Sequence, residues 1–362
     1  MKNKKLLRKM MTIAAVVMLT AGLCGCERQE AASNRRERDP SANETSVPEA
    51  GKPSETVTPT TAVTPEPAGT AGKRTKPADE LPVHRVGGLE RANDGEMAFV
   101  WLGHSSFLLQ MGSVNILCDP VFTDRSSPVS WAGPKRFSEV PMTAENTPEI
   151  DVLFLSHDHY DHMDQETILA IDGKVGAYVV PDGAETILAG WGIDPDKVYA
   201  ISPWVSVSLC GVKFTMTPAQ HSGGRTVTAV TLCGGVVVDD GAHRVFYTGD
   251  GGYGSHFTEI YERLGAVDLL IAECGQYNEN WQRVHMFPEQ SAQVAVDLHA
   301  KWMIPVHWGA FVLSTHAWDE PPARCVIAAE ALGVSIATPE IGQPVKFAEI
   351  ASHTNRWWEA YK

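Results

Sequence analysis

The chain has 362 residues, which is enough for one large domain or two smaller ones. Hydrophobic residues make up 43% of it and charged residues 20%, and both values are ordinary for a globular protein. The formal net charge of −14 argues against a nucleic-acid-binding protein, because such proteins carry clustered positive charge that neutralises phosphates.

The N-terminus has the pattern of an export signal. Basic residues precede an apolar stretch, Met10 to Leu23, which is too short for a comfortable transmembrane span. The sequence Leu-Cys-Gly-Cys that ends at Cys26 resembles a bacterial lipobox, with Cys26 as the lipidated first residue of the mature chain. We therefore predict a lipoprotein signal peptide over residues 1–25 and an exported protein, anchored to the outer face of a bacterial cell membrane or on its periplasmic side. An ordinary secretory signal peptide is the alternative.

Residues 26–80 are rich in Pro, Thr, Ser, Ala and Glu and show no apolar periodicity. Such a segment cannot bury enough apolar surface to offset the entropy lost on ordering. We predict a disordered tether with a reach of roughly 40 Å, and a folded domain over residues 81–362.

The folded part begins with three predicted strands, Met97–Leu102, Phe107–Met111 and Val114–Cys118. A long Pro- and Ser-rich loop follows, from Phe122 to Pro148, and it contains exposed-type aromatic residues such as Trp131. Loops of this length are usually functional, so we interpret it as a lid or a wall of a binding site.

A dense group of potential metal ligands follows the apolar run Asp151–Leu155, which predicts a buried strand. His157, His159, Asp161 and His162 fall within six positions. In a helix His157 and His159 would point in nearly opposite directions, so this segment is predicted to be a loop at a strand end. Such a loop can turn imidazoles and a carboxylate toward one metal ion. The alternative is a polar turn with solvated histidines, which fits poorly after a long hydrophobic strand.

The second half alternates between predicted strands and helices. The strands are Ala177–Val180, Val205–Leu209, Val212–Thr217, Val227–Leu232, Val245–Thr248 and Leu269–Ala272. The helices, after a short one that Asp164 caps and that runs through Ile171, are Gly183–Ala189, Thr258–Leu264, Pro288–His299 and Pro322–Ala331. Two blocks of strands with interspersed helices predict an α/β sandwich of two sheets.

Three further strand ends carry side chains that suit a metal. His221 follows the strand that ends near Thr217, Asp250 follows the strand that ends at Thr248, and His307 follows an apolar run that ends at Val306. Each residue alone has an ordinary explanation as a loop or turn residue. Because strand ends at one sheet edge lie together in space, the four segments jointly predict one site.

The ligand motif resembles the signature of the metallo-β-lactamase superfamily. Shorter motifs occur in the order of one branch, that of N-acyl-phosphatidylethanolamine phospholipase D: Trp101–Ser105, Asp119–Phe122, Gly133–Phe137, Pro218–His221, Thr248–Tyr253, Val306–Phe311 and Asp319–Pro322. The resemblance covers about residues 81–340. It implies an α/β (α+β) fold in the form of a four-layered αβ/βα sandwich, with the metals at one edge of the two sheets.

The resemblance also implies two zinc ions, although iron and manganese tolerate the same ligands. One ion would be held by His157, His159 and His221. The other would be held by Asp161, His162 and His307. Asp250 would bridge the two ions.

The same resemblance implies a phosphodiesterase that cleaves N-acyl-phosphatidylethanolamine into N-acylethanolamine and phosphatidic acid. Asp250, Asp161 and His285 would be its catalytic residues, and Tyr160 and His285 would contact the phospholipid or another phosphodiester substrate. Phe287 departs from the family pattern, which often has Asn before the proline, and this weakens the assignment of substrate contacts. The resemblance also points to a possible homodimer.

Two other functions fit part of the pattern. A lactonase of the ascorbate-phosphate type shares the metal motif but needs a closed polar pocket, whereas a phospholipase needs an apolar groove. A surface lipoprotein that binds metal without turnover would not need a bridging carboxylate. Asp119 and His104 are expected to lie behind the ligands and to fix their imidazole rings.

Overall fold

The computed structural model describes residues 74–225 and 231–362. The predicted signal peptide, Cys26, most of the predicted tether and most of the predicted strand Val227–Leu232 lie outside these residues. At the start of the described chain, the carbonyl oxygen of Arg74 accepts a hydrogen bond from the backbone N–H of Trp318 at 3.1 Å. The residues that precede the predicted folded domain therefore already contact it.

Strands and helices alternate along the described chain. The strands are β1 (Met97–Trp101), β2 (Phe107–Met111), β3 (Val114–Cys118), β4 (Ile150–Phe154), β5 (Val175–Pro181), β6 (Val198–Ile201), β7 (Ser206–Leu209), β8 (Val212–Pro218), β9 (Gly234–Asp239), β10 (Arg244–Tyr247), β11 (Leu269–Glu273), β12 (Trp302–Val306) and β13 (Pro344–Lys346). The α-helices are α1 (Gln165–Ile171), α2 (Ala184–Trp191), α3 (His256–Leu264), α4 (Pro288–Asp297) and α5 (Glu320–Leu332). Short 3₁₀ helices span Asp172–Lys174, Pro195–Lys197, Glu279–Trp281, Phe347–Ser352 and Trp357–Tyr361.

The strands form two sheets. The first has seven described strands in the order β13-β1-β2-β3-β4-β5-β6, and the second has six in the order β12-β11-β10-β9-β8-β7. Strands β3 to β6 run parallel to one another, and so do β10, β11 and β12. Parallel strands place their carboxyl ends at one edge of the sheet, where side chains from several loops can meet.

The two faces of the first sheet are both covered. Phe99 and Trp101 of β1 pack into a core shared with the second sheet and with helices α3, α4 and α5. Val100, between them in sequence, points the opposite way into a separate core with helices α1 and α2, as the period-2 alternation of a strand requires. Helices, sheet, sheet and helices thus form the predicted four-layered αβ/βα sandwich, which confirms the fold prediction.

Local capping explains where two helices begin. The Asp164 side chain accepts a hydrogen bond from the backbone N–H of Thr167, which satisfies one free donor of α1. Pro288 stands at the start of α4, where its missing N–H costs nothing. Both starts agree with the sequence prediction. Among the described residues, no helix is both long enough and apolar enough to cross a membrane.

Strands β6, β9 and β13 were not predicted from the sequence. Strand β9 begins with two glycines, which are typical of a turn rather than a strand. The structure explains the glycine at position 235, because a Cβ there would lie 2.4 Å from the carbonyl oxygen of Tyr247 in the neighbouring strand. Strands β6 and β13 are short and lie at sheet edges, where the hydrophobic alternation is weak.

We predict that Gly235→Ala lowers the free energy of unfolding by about 1–3 kcal/mol, because the added methyl group forces β9 and β10 apart. The matched control is Gly190→Ala in α2, where an added Cβ meets nothing within 4 Å. This control should raise the free energy of unfolding by about 0.5–1 kcal/mol, since alanine is the better helix former. Urea denaturation of both variants measures the difference, and equal stabilities would contradict the packing of β9.

Candidate metal centre

The predicted ligands gather at the carboxyl edges of the two sheets. The loop after β4 brings His157 to His162 from the first sheet, and the ends of β8, β10 and β12 bring the others from the second. Strand β8 runs in the same direction as β10, because both are antiparallel to β9 between them. The topology therefore explains why residues 150 positions apart in sequence share one site.

The first group consists of three imidazoles. His157 Nε2 lies 3.0 Å from His159 Nδ1, and His221 Nε2 lies 3.2 Å from the same His159 atom. His157 is buried, whereas His159 and His221 are partly exposed. Three nitrogen atoms so close together form one face of a coordination sphere and leave a side open.

The second group combines a carboxylate with imidazoles. Asp161 Oδ2 lies 3.5 Å from His162 Nε2 and 3.4 Å from His307 Nε2. His104 joins this group, because its Nε2 lies 2.8 Å from the same carboxylate oxygen. All four side chains are buried or nearly so.

Asp250 lies between the two groups. Its Oδ2 atom is 3.1 Å from His162 Nε2 and 3.3 Å from His307 Nε2, both in the second group. The same oxygen is 3.9 Å from His157 Nε2 in the first group. The Asp250 side chain is 2% exposed. A carboxylate in this position is placed to contact two cations at once.

The electrostatics of the first group suit metal binding. Burial lowers the pKa of His157 well below its ordinary value, and burial lowers the pKa of His221 to about 4. Burial also lowers the pKa of His159. All three rings are therefore neutral near pH 7, which is the form that binds a metal ion.

Two buried carboxylates, Asp161 and Asp250, lie among the imidazoles of the second group. Burial opposes ionisation of Asp161 and Asp250, but neighbouring imidazoles hold the pKa of both carboxyls well below the ordinary value. Burial likewise opposes a charge on His307, yet Asp250 and hydrogen bonds with Asp161 and Glu273 raise its pKa to about 9. Two buried carboxylates need positive charge beside them, and a metal cation supplies it while binding the imidazoles in their neutral form.

Of the seven predicted ligands, two have a buried atom that makes no hydrogen bond of ordinary geometry among the described residues, namely His162 Nε2 and Asp250 Oδ1. Buried polar atoms are rarely left unpaired, because each costs about 1–3 kcal/mol. Both atoms belong to residue types that bind zinc, iron or manganese. The donor set, the burial and the unpaired atoms together fit a metal-binding site.

Asp119 and His104, the two residues predicted to lie behind the ligands, both contact ligand side chains. Asp119 Oδ2 lies 2.8 Å from His162 Nδ1, and the carboxylate also accepts hydrogen bonds from Ser156 and the Tyr247 hydroxyl. This contact confirms that Asp119 orients an imidazole. His104 also lies behind the ligands, because its Nε2 is 2.8 Å from Asp161 Oδ2 and its ring packs edge-on against that of His307, with the centroids 4.3 Å apart.

Glu273 was missed from the sequence. It is fully buried at the end of β11, and its Oε2 lies 2.9 Å from His285 Nδ1 and 3.3 Å from His307 Nδ1. Its Oε1 accepts hydrogen bonds from the backbone N–H groups of Gly251 and Met286. Unlike Asp250, Glu273 has no glycine directly on either side in the sequence, so no local pattern marks it as part of the site.

The two predicted substrate contacts occupy different positions. His285 is partly buried, and its ring centroid lies 5.2 Å from that of His221 and 5.3 Å from that of His307. It therefore touches both ligand groups. Tyr160 is also partly exposed, and the Arg225 guanidinium covers one face of its ring, 4.1 Å from the centroid. The structure brings together all seven predicted ligands and His285; their roles stay predictions.

Comparison with known proteins agrees with this geometry. Residues 114–308 match the family described as Beta-lactamase superfamily domain. An uncharacterized protein of Mycobacterium tuberculosis is 34% identical over 275 residues, which cover 75% of this chain and 74% of that protein. N-acyl-phosphatidylethanolamine-hydrolyzing phospholipase D 1 of Caenorhabditis elegans is 32% identical over 249 residues, covering 65% of this chain and 70% of that protein.

Among solved structures, Igni18, a metallo hydrolase from the archaeon Ignicoccus hospitalis, has the same fold, with a TM-score of 0.54 and 21% identity. The match covers 69% of this chain and 98% of that one. The fold and the site define a metal-dependent hydrolase, as predicted from the sequence. This result counts against the alternative function of a surface lipoprotein that binds metal without turnover. The chain belongs to the beta-lactamase superfamily and, within it, to the branch similar to N-acyl-phosphatidylethanolamine phospholipase D.

We predict that Glu273→Gln weakens metal binding by about 10–100-fold, because His307 loses the carboxylate that orients its ring. Glu262→Gln is the matched control, since Glu262 is exposed on α3. Competition with a chromophoric chelator measures both affinities. Unchanged affinity in Glu273→Gln would show that His307 needs no such support.

Proposed function

We propose that the protein is a binuclear, zinc-dependent phosphodiesterase that hydrolyses N-acyl-phosphatidylethanolamine to N-acylethanolamine and phosphatidic acid. The observation that carries the proposal is the position of Asp250 Oδ2, within 3.9 Å of imidazole nitrogens from both ligand groups. A shared carboxylate is the arrangement expected of a two-metal site. In this assignment His157, His159 and His221 would hold one zinc ion, Asp161, His162 and His307 would hold the other, and Asp250 would be shared by both.

The likeness to the phospholipases of Caenorhabditis elegans and Saccharomyces cerevisiae supports the choice of substrate. These proteins are 32% identical to this chain over 249 and 257 residues, and both are named for hydrolysis of N-acyl-phosphatidylethanolamine. The surroundings of the site also suit a lipid. Trp281 is 39% exposed, and its ring lies 6.2 Å from that of His285. The loop that contains the 80% exposed Trp131 is held beside the strand end of His307 by the hydrogen bond from Phe137 N to Ala310 O, at 2.8 Å.

When bound, two zinc ions would lower the pKa of a water molecule and stabilise negative charge on the phosphoryl oxygens. Asp250 would orient that water and accept its proton. His285 would act on the leaving group, because Glu273 engages its Nδ1 and leaves Nε2 to donate a proton to the departing alkoxide. Burial disfavours charge on His285, but Glu273 raises its pKa above the ordinary value, so the ring can hold a proton at neutral pH.

We also propose that the protein is exported and anchored to the membrane through Cys26, which would place it beside a phospholipid substrate. The basic and apolar N-terminal sequence and the lipobox-like ending support this location. A homodimer is part of the same proposal, on the strength of the family resemblance.

The first experiment uses the full chain, purified without chelator and given N-acyl-phosphatidylethanolamine in mixed micelles. We expect phosphatidic acid and N-acylethanolamine by mass spectrometry. Two bound metals without either product would contradict the proposed substrate. Other phosphodiesters and lactones would then be the substrates to test.

We predict that Asp250→Asn lowers the rate of hydrolysis by at least about 10³-fold, because the neutral amide neither bridges two cations nor accepts a proton. Asp196→Asn is the control, since Asp196 is exposed in a surface 3₁₀ helix far from the ligands in sequence. Steady-state kinetics with metal content determined on the same samples provides the measurement. Near wild-type turnover in Asp250→Asn would contradict the proposed bridging role.

For the anchor, we predict that Cys26→Ser moves the protein from the membrane fraction to the soluble fraction of a bacterial host, because no thiol remains for lipidation. Cys24→Ser is the control and should stay with the membranes. Fractionation followed by mass spectrometry of the mature N-terminus checks both variants. Membrane association of Cys26→Ser would rule out this cysteine as the anchor.

A further inference from the structure

We propose that Arg225 is a positioning residue that, together with Asp158, joins the loop carrying His221 to the loop carrying His157 and His159. Through this connection it sets the metal affinity of the first ligand group and leaves the second group unaffected. The inference builds on the proposed two-metal function and adds a residue that the sequence motifs do not include.

The side chain of Arg225 is bonded to the backbone of the motif loop. Its Nε donates to the carbonyl oxygen of Asp158 at 2.7 Å. Its terminal NH₂ group donates to the carbonyl oxygen of Met163 and reaches that of His159 at 3.5 Å. These three carbonyls bracket the ligands His159 to His162. A single guanidinium thus holds the backbone beside His159, whereas Asp161 and His162 of the same turn have partners of their own in His104 and Asp119.

The Asp158 side chain also connects the two loops, because it binds the backbone of the loop that carries His221. The side chain is 1% exposed, and its two oxygens accept hydrogen bonds from the backbone N–H groups of Gly224 at 2.9 Å and Arg225 at 3.1 Å. The approach is so close that a Cβ on Gly223 would lie 2.9 Å from Asp158 Oδ1. Neither loop can shift without leaving a buried carboxylate unpaired, which costs several kcal/mol.

The two loops come from different sheets. The motif loop follows β4 of the first sheet, and the His221 loop follows β8 of the second. The distance of 3.2 Å between His159 Nδ1 and His221 Nε2 therefore depends on the junction between loops. The second ligand group has separate supports, since Asp119 contacts His162 and Glu273 contacts His307. This separation is the reason that we expect a selective effect.

Arg225 also sets the position of Tyr160. Its guanidinium lies 4.1 Å from the Tyr160 ring centroid and 5.3 Å from that of Trp191. A stacked guanidinium holds an aromatic ring by cation–π attraction. One face of the Tyr160 ring is therefore covered by the guanidinium and closed to a substrate.

Lysine cannot replace arginine in this role. The observed contacts use a planar group that donates in two directions within its plane and stacks through its face. A lysine ammonium keeps the positive charge, but it lacks the planar arrangement of N–H donors and the flat face that stacks on a ring.

The test compares Arg225→Ala and Arg225→Lys with the wild type, each as the full chain loaded stepwise with Zn²⁺ against a chromophoric chelator. Arg263→Ala is the matched control, because the Arg263 guanidinium also stacks on an aromatic ring, that of Trp204, at 4.3 Å. We expect two binding steps in the wild type and in the control. In both Arg225 variants one step should weaken by about 10–100-fold while the other keeps its affinity.

Loading the same proteins with Co²⁺ identifies the weakened step, because its visible spectrum reports whether a three-nitrogen site or a carboxylate-containing site is filled. Loss of the three-nitrogen spectrum alone supports the proposal. Equal weakening of both steps, full affinity in Arg225→Lys, or a loss confined to the carboxylate-containing site would overturn it.

The outcome is separable from that of the proposed function. If the wild type shows two binding steps but does not cleave N-acyl-phosphatidylethanolamine, the proposed substrate is wrong. The comparison of the Arg225 variants then still tests the positioning role. A wild type with a single step contradicts both. Circular dichroism of the metal-free proteins checks folding, and Arg225→Lys decides the question if Arg225→Ala does not fold.

Discussion

The centre of this structure depends on one carboxylate, Asp250, buried among imidazoles that come from two different sheets. A buried carboxylate without positive charge beside it is unstable, and imidazoles crowded this closely repel one another if several are protonated. Metal cations resolve both difficulties, because they supply the charge and bind the neutral rings. Asp250 Oδ2 lies 3.9 Å from His157 Nε2, 3.1 Å from His162 Nε2 and 3.3 Å from His307 Nε2, which makes this residue the link between the two halves of the site.

The fold explains how such a site is assembled from distant parts of the sequence. Each sheet directs the carboxyl ends of several strands toward one edge, so short loops are enough to bring ligands together. The cost is that the two sheets must be held in register at this edge. Asp119, which contacts His162 of the first sheet and Tyr247 of the second, and the pair Asp158–Arg225 perform that task. Glu273 orients His307 within the second sheet. Under the proposed function, the residues behind the ligands would support the metal positions, and His285 and Tyr160 would contact the substrate.

Much of the site could be predicted from the sequence because its ligands follow apolar strands and are flanked by glycines, as at Asp250 and His307. The sandwich could be predicted for the same reason, since its central strands are strongly apolar. Strand β9 could not, because its two glycines permit close approaches that only the folded structure reveals, of Gly234 to Met216 in β8 and of Gly235 to Tyr247 in β10. Glu273 and Arg225 escaped notice for a related reason. Their partners are a ring nitrogen of His307 and the backbone carbonyl of Asp158, 34 and 67 positions away, and a contact of that kind leaves no local pattern.

The most direct test of the account is a crystal structure of the zinc-loaded protein with anomalous diffraction recorded at the zinc absorption edge. We predict two anomalous peaks about 3.5–4 Å apart, the separation typical of two-metal sites, with an oxygen of Asp250 contacting both. One peak should lie among His157, His159 and His221, and the other among Asp161, His162 and His307. A single peak, or two peaks that do not share Asp250, would contradict the claim that this carboxylate unites the site.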